Sequence, residues 1–385
     1  MNKPITDIRG NVVDIARPLI AASVTGTSLI RHLKGAHPIE IKSALISAGE
    51  LDLAERAFKD ISVAPPCLHE ISSEDNPILS FWPFADTSAL DVAQMASRFS
   101  SVALLGAPTL FSAMRRQRHS NEIYLFDCDD YLFREETVSG FVRCNIASAV
   151  PAKFNNKFDL VIGDPPWYLE EYLLWLATAE RIVRPGGTIM FSLFPEGIRD
   201  SAGADKRAIL STAERIFAEF SVLDSAIEYD VPSFEQVQMI RAGIKPVRWR
   251  YAHLIVGRIR MDKKLRAIRP NDGLERWIER RIGNGRLFIK LGRSLIEQDD
   301  FLQTAESKSP FLSSPSRRNP SRLRANVMSS RGHGLSCSNP ALLAEMVDNI
   351  KSGDDIEIQG GGLDDSSRRL FKVLGFDLWP KFIQL

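Results

Sequence analysis

From Ser101 to Phe194 the chain alternates short, unbroken apolar runs with amphipathic stretches, and this alternation leaves few folds open to it. The runs are SVALLG, EIYLFD, FDLVIGD and TIMFSLF; LFSAMRRQR, YLEEYLLWLATAERIV and the turn RPGG lie between them. A strand with one face in water alternates apolar and polar residues. VALLG, LVIG and IMFSLF do not, so these strands are to be covered on both faces. Covered strands joined by helices of this length make a parallel, doubly wound sheet with right-handed crossovers.

The flanks extend the plan. DTSALDVAQMASRF has a helical period, with Ala89, Val92, Ala93 and Met95 or Ala96 on one side. After the fourth run, SAGADKRAILSTAERIFAEF reads as a helix, and VLDSAIEYD and WRYAHLIVGRI read as an antiparallel hairpin closing the sheet edge. Thr25 to Phe58 reads as short helices, with Thr25 and Ser28 as caps and Gly35, Pro38 and Gly49 as breaks. A linker follows, marked by Pro65, Pro66, Pro77 and Pro83. Late in the chain SKSPFLSSPSRRNPSRLR reads as a loop, and NPALLAEMVDNI and DSSRRLFKVLGF as helical patches. The predicted organisation is a helical or winged-helix-like unit over 1–76, the sheet domain over 77–262, and a basic linker with a small α-rich unit over 263–385.

Composition narrows the class. With 44% hydrophobic and 25% charged residues in 385, the chain is globular rather than disordered. Its four cysteines, Cys67, Cys128, Cys144 and Cys337, have neither CxxC nor Cys/His ligand spacing, so no disulfide framework and no metal site is expected. No run approaches the roughly 18 apolar residues of a spanning helix, and the amino terminus has no apolar core. A cytoplasmic protein without membrane contact is the expectation.

In an open parallel sheet, ligands bind at the carboxyl ends of the strands. After the first run, Gly106 lets the backbone turn closely round a ligand, and Thr109 can cap the next helix. Asp127 ends the second run, where a carboxylate can accept both hydroxyls of a ribose; Asp129 and Asp130 lie further into the turn. The third run delivers Asp164, Pro165, Pro166 and Trp167 together. The exocyclic amine of a purine is a poor nucleophile because its lone pair is delocalised into the ring. A carboxylate and a neighbouring carbonyl, each accepting one N–H, draw the hydrogens out of plane. Proline removes a competing N–H and fixes φ near −65°, and an indole can stack on the base for about 1–3 kcal/mol.

The stretch from Ser101 to about Ile259 resembles a class I S-adenosylmethionine (AdoMet)-dependent methyltransferase, and DPPW is similar to the signature of adenine N6-type amino-methyltransferases. AERIVRPGGTIMFSLF resembles that superfamily's helix, Pro-Gly-Gly turn and strand. The resemblance implies a Rossmann-like methyltransferase sheet and AdoMet as cofactor. Gly106, with Ala107, Pro108 and Thr109 of its loop, would line the methionine moiety. Asp127 would hold the ribose, Asn145 and Ile146 would flank the adenine, and Asp164, Pro165, Pro166 and Trp167 would face the acceptor. The first loop keeps Gly106 as its one glycine, a departure that leaves two further readings. One is aminopropyl transfer to a polyamine, as in branched-chain polyamine synthases; it ranks second because the first loop has no aspartates to hold a polycation. The other is a binding module that has lost the cofactor.

Net charge is +1, yet lysine and arginine outnumber the acids between Arg241 and Arg331. That stretch either coats solvated helices or tracks the phosphates of a nucleic acid. Of the remaining features, Phe81, Trp82 and Phe84 read as core aromatics before they read as a cofactor roof. Tyr229, Pro232 and Phe234 could frame the acceptor pocket, but read first as a strand-to-helix connection anchored by Phe234. His333, between two glycines, reads as an exposed loop residue, and Gly360 to Gly362 as a turn.

Overall fold

The computed structural model describes residues 8–59, 75–79, 81–117, 122–129, 138–147, 150–262, 277–282, 285–291, 301–307 and 309–352. They divide into two units. The first is Met1–Ser62, Trp82–Val231 and Val247–Asn271; the second is Val63–Phe81, Pro232–Pro246 and Asp272–Leu385.

The buried runs of the first unit form one sheet. Its strands are β1 (Ser101–Leu105), β2 (Glu122–Asp127), β3 (Phe141–Arg143), β4 (Phe158–Gly163), β5 (Val183–Leu193), β6 (Phe217–Glu228) and β7 (Tyr251–Ile259). Their order is β3-β2-β1-β4-β5-β7-β6. The first five are parallel, and β7 runs antiparallel between β5 and β6. The doubly wound sheet with its closing antiparallel hairpin is therefore borne out.

Three local expectations change. β3 lies where the sequence offered only an interval, since three residues carry no period. RPGG is not a turn between elements but lies within β5, where Gly186 at φ +69 accompanies a register shift against β4. The helix expected to run to Phe220 stops at Ile216, and Phe217 opens β6. Pairing decides that boundary: the Phe217 ring lies against Gly257 of β7, where any Cβ would come within 2.6 Å of it.

The helices of this unit are α1 (Ile8–Ala21), α2 (Gly26–His32), α3 (Pro38–Ser47), α4 (Leu51–Arg56), α5 (Asp86–Ala96), α6 (Pro108–Arg116), α7 (Leu169–Ile182) and α8 (Ala202–Ile216). The described residues up to Lys59 contain helices and no strand. Thr25 stands at the cap of α2 without a side-chain cap bond. The first four helices fold with the sheet rather than as a separate unit. The Gly197 N–H donates to the Lys34 carbonyl at 2.7 Å, Lys34 pairs with Glu196 at 3.0 Å, and Arg31 pairs with Glu228. Gly35, at φ +82, admits Pro195, whose Cγ would lie 2.5 Å from a Cβ there.

The second unit holds α9 (Ser233–Arg241), α10 (Pro320–Arg324), α11 (Pro340–Ser352) and a five-stranded antiparallel sheet in the order β10-β12-β11-β9-β8. The strands are β8 (Trp277–Ile282), β9 (Gly285–Lys290), β10 (Leu302–Thr304), β11 (Val327–Ser329) and β12 (Gly334–Cys337). The expected α-rich character after 263 is thus corrected to a mixed unit. Leu287, Ile289, Val327 and Leu335 bury one face of the sheet against Leu343 and Val347 of α11. Each such side chain contributes about 1.5–3 kcal/mol by leaving water. The helical patch DSSRRLFKVLGF, Cys67, Asp130 and Gly360 to Gly362 lie outside the described residues. Among the described residues no helix is long and apolar enough to cross a membrane.

Candidate active site

Register brings the sequence-predicted residues to one level. Leu105 of β1 pairs with Phe126 of β2 and Gly163 of β4, so the next residue on each strand is Gly106, Asp127 and Asp164. The backbone locks this alignment: the Gly106 N–H donates to the Phe126 carbonyl at 3.0 Å, and the Asp164 N–H to the Leu105 carbonyl at 3.1 Å. With strands ~4.8 Å apart, the two aspartates stand two strand spacings from each other at the carboxyl edge, with the glycine between.

Asp164 is half-buried and held on one oxygen. Its Oδ1 accepts from Ser192 Oγ at 2.5 Å and from Tyr229 Oη at 2.7 Å. Among the described residues its Oδ2 accepts nothing. Burial pushes the carboxyl up to about 6, against the pull of the two hydroxyl hydrogen bonds and the nearby Arg250 charge. The same surroundings hold the Tyr229 phenol well above its usual range: burial first, then the adjacent carboxylate. Ser192 is fully buried in β5, and its own carbonyl accepts the Tyr172 hydroxyl at 2.9 Å. In the turn that follows, the Pro166 carbonyl accepts the Tyr168 N–H at 2.7 Å, whereas the Pro165 carbonyl accepts nothing among the described residues.

Trp167 is 9% exposed and lies in an aromatic box. Tyr229 meets it edge-on at 5.9 Å, Phe194 is tilted against it at 6.0 Å, and Phe84 stands edge-on to Tyr229 at 5.3 Å. Arg250, the residue before β7, lays its guanidinium carbon 3.6 Å from the Trp167 ring centre and 4.4 Å from that of Trp82. Because β7 is antiparallel, its first residue reaches the edge where the parallel strands end. Trp82 and Phe84 accordingly are buried walls of this box rather than a cofactor roof.

On the other side of Asp164, Gly106 has φ +62, and a Cβ there would lie 2.4 Å from a ring carbon of Trp175. Only glycine fits. Ala107 is buried and Pro108 is the first residue of α6. Thr109 makes no cap for α6; its hydroxyl accepts the Phe84 N–H at 3.2 Å and pins the segment that carries Trp82. Asp127 Oδ1 accepts the Asp129 N–H at 2.9 Å, and burial raises its carboxyl to about 7 against that bond. The Asp127 carbonyl accepts the Cys144 N–H at 2.8 Å, which sets Asn145 one residue further. The Asn145 side chain accepts the Ala147 N–H at 3.0 Å. Ile146 is buried, and its carbonyl accepts the Thr178 hydroxyl at 2.9 Å.

Four contributors went unread in the sequence: Ser192, Tyr172, Trp175 and Arg250. Ser192 did leave a signal, a lone hydroxyl inside the otherwise apolar IMFSLF. Arg250 left one too, a cation between Trp249 and Tyr251 at the mouth of a buried strand. The expectation for His333 is corrected: it is fully buried in the second unit, 2.6 Å from Ser329 Oγ and stacked on Phe311 at 4.3 Å. Phe234 is likewise fully buried, in α9 of that unit.

Residues 79–237 match the family model described as "Probable N6-adenine methyltransferase". The match bears out the resemblance read from DPPW and the strand array, and it covers less than half of the chain. No curated protein matches the chain. Among solved structures, the chain is similar to the branched-chain polyamine synthase from Thermus thermophilus, with 12% identity over 68% of this chain and 96% of that one and a TM-score of 0.47. It is also similar to the N-methyltransferase NodS from Bradyrhizobium japonicum, with 13% identity over 45% and 85% and a TM-score of 0.30. Nothing about the acceptor follows from likenesses this distant.

Proposed function

We propose that the domain transfers the methyl group of AdoMet to an exocyclic amino group, adenine N6 of DNA or RNA. The observation that carries the proposal is the asymmetric holding of Asp164. Ser192 and Tyr229 fix Oδ1, leaving Oδ2 as an oriented acceptor on the turn that continues into Pro165 and Trp167.

The donor side fits the cofactor. A glycine that tolerates no Cβ bends the backbone after β1, and the Asp127 carboxylate stands level with it at the end of β2. Gly106 with Ala107 and Pro108 would hold the methionine end, Asp127 the ribose, and Asn145 and Ile146 the adenine. When bound, AdoMet supplies an electrophilic methyl on a sulfonium.

The chain's own residues do the rest. Asp164 Oδ2 accepts one hydrogen of the amine and the Pro165 carbonyl the other, turning the nitrogen lone pair out of conjugation. Asp164 must be ionised to accept, and with its carboxyl at about 6 it is so above neutrality while still basic enough to take the proton the methylated amine gives up. Trp167 orients the base plane, and holding the two reactants in line supplies much of the acceleration. A target base in a duplex must first be flipped out.

Of the basic stretch 241–331, part is internal. Arg286 donates to Glu279 at 2.8 and 3.1 Å, Arg322 lies over Trp277 at 4.8 Å, and Arg280 pairs with Asp348 at 2.7 Å. Arg241, Lys245, Arg317 and Arg318 are exposed and are the candidates for phosphate contacts. Transfer of labelled methyl to DNA and RNA pools tests the proposal: Asp164→Ala abolishes transfer while AdoMet binding persists. No transfer to any pool by the native chain refutes it.

A further inference from the structure

A carboxylate inside a box of aromatic rings is the ordinary chemistry for binding an alkylammonium ion. Asp164, Trp167, Tyr229, Phe84 and Trp82 form such a box, yet its cation is supplied by the chain. The Arg250 guanidinium lies 3.6 Å from the Trp167 ring centre, 4.4 Å from Trp82 and 5.7 Å from Tyr229. Its position is braced. The Arg250 carbonyl accepts the Tyr229 N–H at 3.1 Å, and Trp82 stands edge-on to Trp249 at 5.5 Å, which in turn meets His37, the residue that caps α3, at 4.6 Å.

We infer that Arg250 determines the charge of the acceptor: as resident cation of the aromatic box it excludes aliphatic ammonium substrates and leaves Asp164 to an uncharged aromatic amine. The inference rests on the methyl-transfer reading and deepens it. A cationic amine approaching Asp164 meets a fixed positive charge in the same box, and the carboxylate's attraction is already offset. An aromatic amine carries no charge to repel. The Arg250 charge also pulls the Asp164 carboxyl downward, against the larger upward push of burial.

The test is calorimetric titration of the full chain with spermidine, without nucleic acid, for the native protein, Arg250→Gln, Arg250→Lys and the double variant Arg250→Gln/Asp164→Asn. Arg250→Gln is expected to bind spermidine at least about tenfold more tightly than the native chain, since a unit charge beside the binding point is removed. Arg250→Lys, which keeps the charge, stays like the native chain, and the double variant loses the gain. If Arg250→Gln does not fold, Arg250→Met, with its apolar stem between the two indoles, carries the same test. Equal binding by native and charge-neutral chains, or a gain that survives Asp164→Asn, overturns the inference. Labelled-methyl transfer to adenine-containing nucleic acid on the same preparations separates the two readings. Absence of transfer with the calorimetric pattern intact refutes the proposed reaction alone, whereas spermidine acting as substrate of the native chain refutes both.

Discussion

Replacing Tyr229 by Phe removes one oxygen and leaves the ring, so its edge contacts with Phe84 at 5.3 Å and Trp167 at 5.9 Å persist. What is lost is the 2.7 Å hydrogen bond to Asp164 Oδ1. A hydrogen bond to a charged group contributes about 1.5–3 kcal/mol, and one pH unit corresponds to 1.36 kcal/mol. Part of the loss is recovered because Ser192 still donates to the same oxygen and Arg250 still lies near. A rise of about one unit is therefore expected, from about 6 to about 7. The sign follows from which form the bond favours: Tyr229 donates to the carboxylate, so its removal favours the protonated acid. Methyl transfer, which needs the ionised form, should rise with pH in both proteins, with the midpoint later in the variant. Rates would fall about threefold at about pH 6.5 and stay nearly equal at about pH 8.5. The assay is initial rate of labelled-methyl transfer against pH, with carboxyl titration followed by carbon NMR as a readout independent of turnover. An unchanged midpoint, or a loss uniform across pH, would refute the assignment of Asp164 as the titrating acceptor.

Two further substitutions address the donor side. Because burial holds the Asp127 carboxyl at about 7, AdoMet binding should strengthen as pH rises through that value, and Asp127→Asn should bind about tenfold more weakly with no such dependence. Calorimetry across pH checks this, and a variant that keeps the native pH curve would move the ribose elsewhere. Gly106→Ala must hold a left-handed backbone at a cost of about 1–2 kcal/mol and meet Trp175 as well. It should lower the melting temperature and abolish AdoMet heat, and adding Trp175→Ala should restore only part because the backbone cost remains. Full recovery in the double variant would show that the left-handed turn does not matter.

Legibility followed burial. β1, β4 and β5 could be read because helices cover both their faces, which forces continuous apolar runs. β3 could not, being three residues long, and Ile216 could not be seen as a helix end because AERIFAEF keeps helical period until pairing with β7 overrides it. The second sheet was opaque for a different reason. WIERRI in β8 places three charged residues among its apolar ones, Arg286 in β9 is buried by virtue of Glu279, and the core is assembled from segments of three to six residues. In the site, the residues visible in advance were those whose backbone position explains them: Gly106 and Asp127 at strand ends, and Asp164 to Trp167 in a turn. Ser192, Tyr229 and Arg250 act across strands, and which of them meets Asp164 depends on a sheet order that no local pattern encodes.

That order has a consequence for how the chain tolerates change. Between Tyr229, the last residue before one strand yields to a helix, and Arg250, the first before the next, the polypeptide makes an excursion of which Pro232–Pro246 belongs to the second unit. Both ends of the detour deliver a side chain to the surroundings of Asp164, whereas Gly106 and Asp127 belong to the unbroken parallel half. A change of length within that detour therefore moves the supports of Tyr229 and Arg250 and leaves the backbone that positions Gly106 and Asp127 in place.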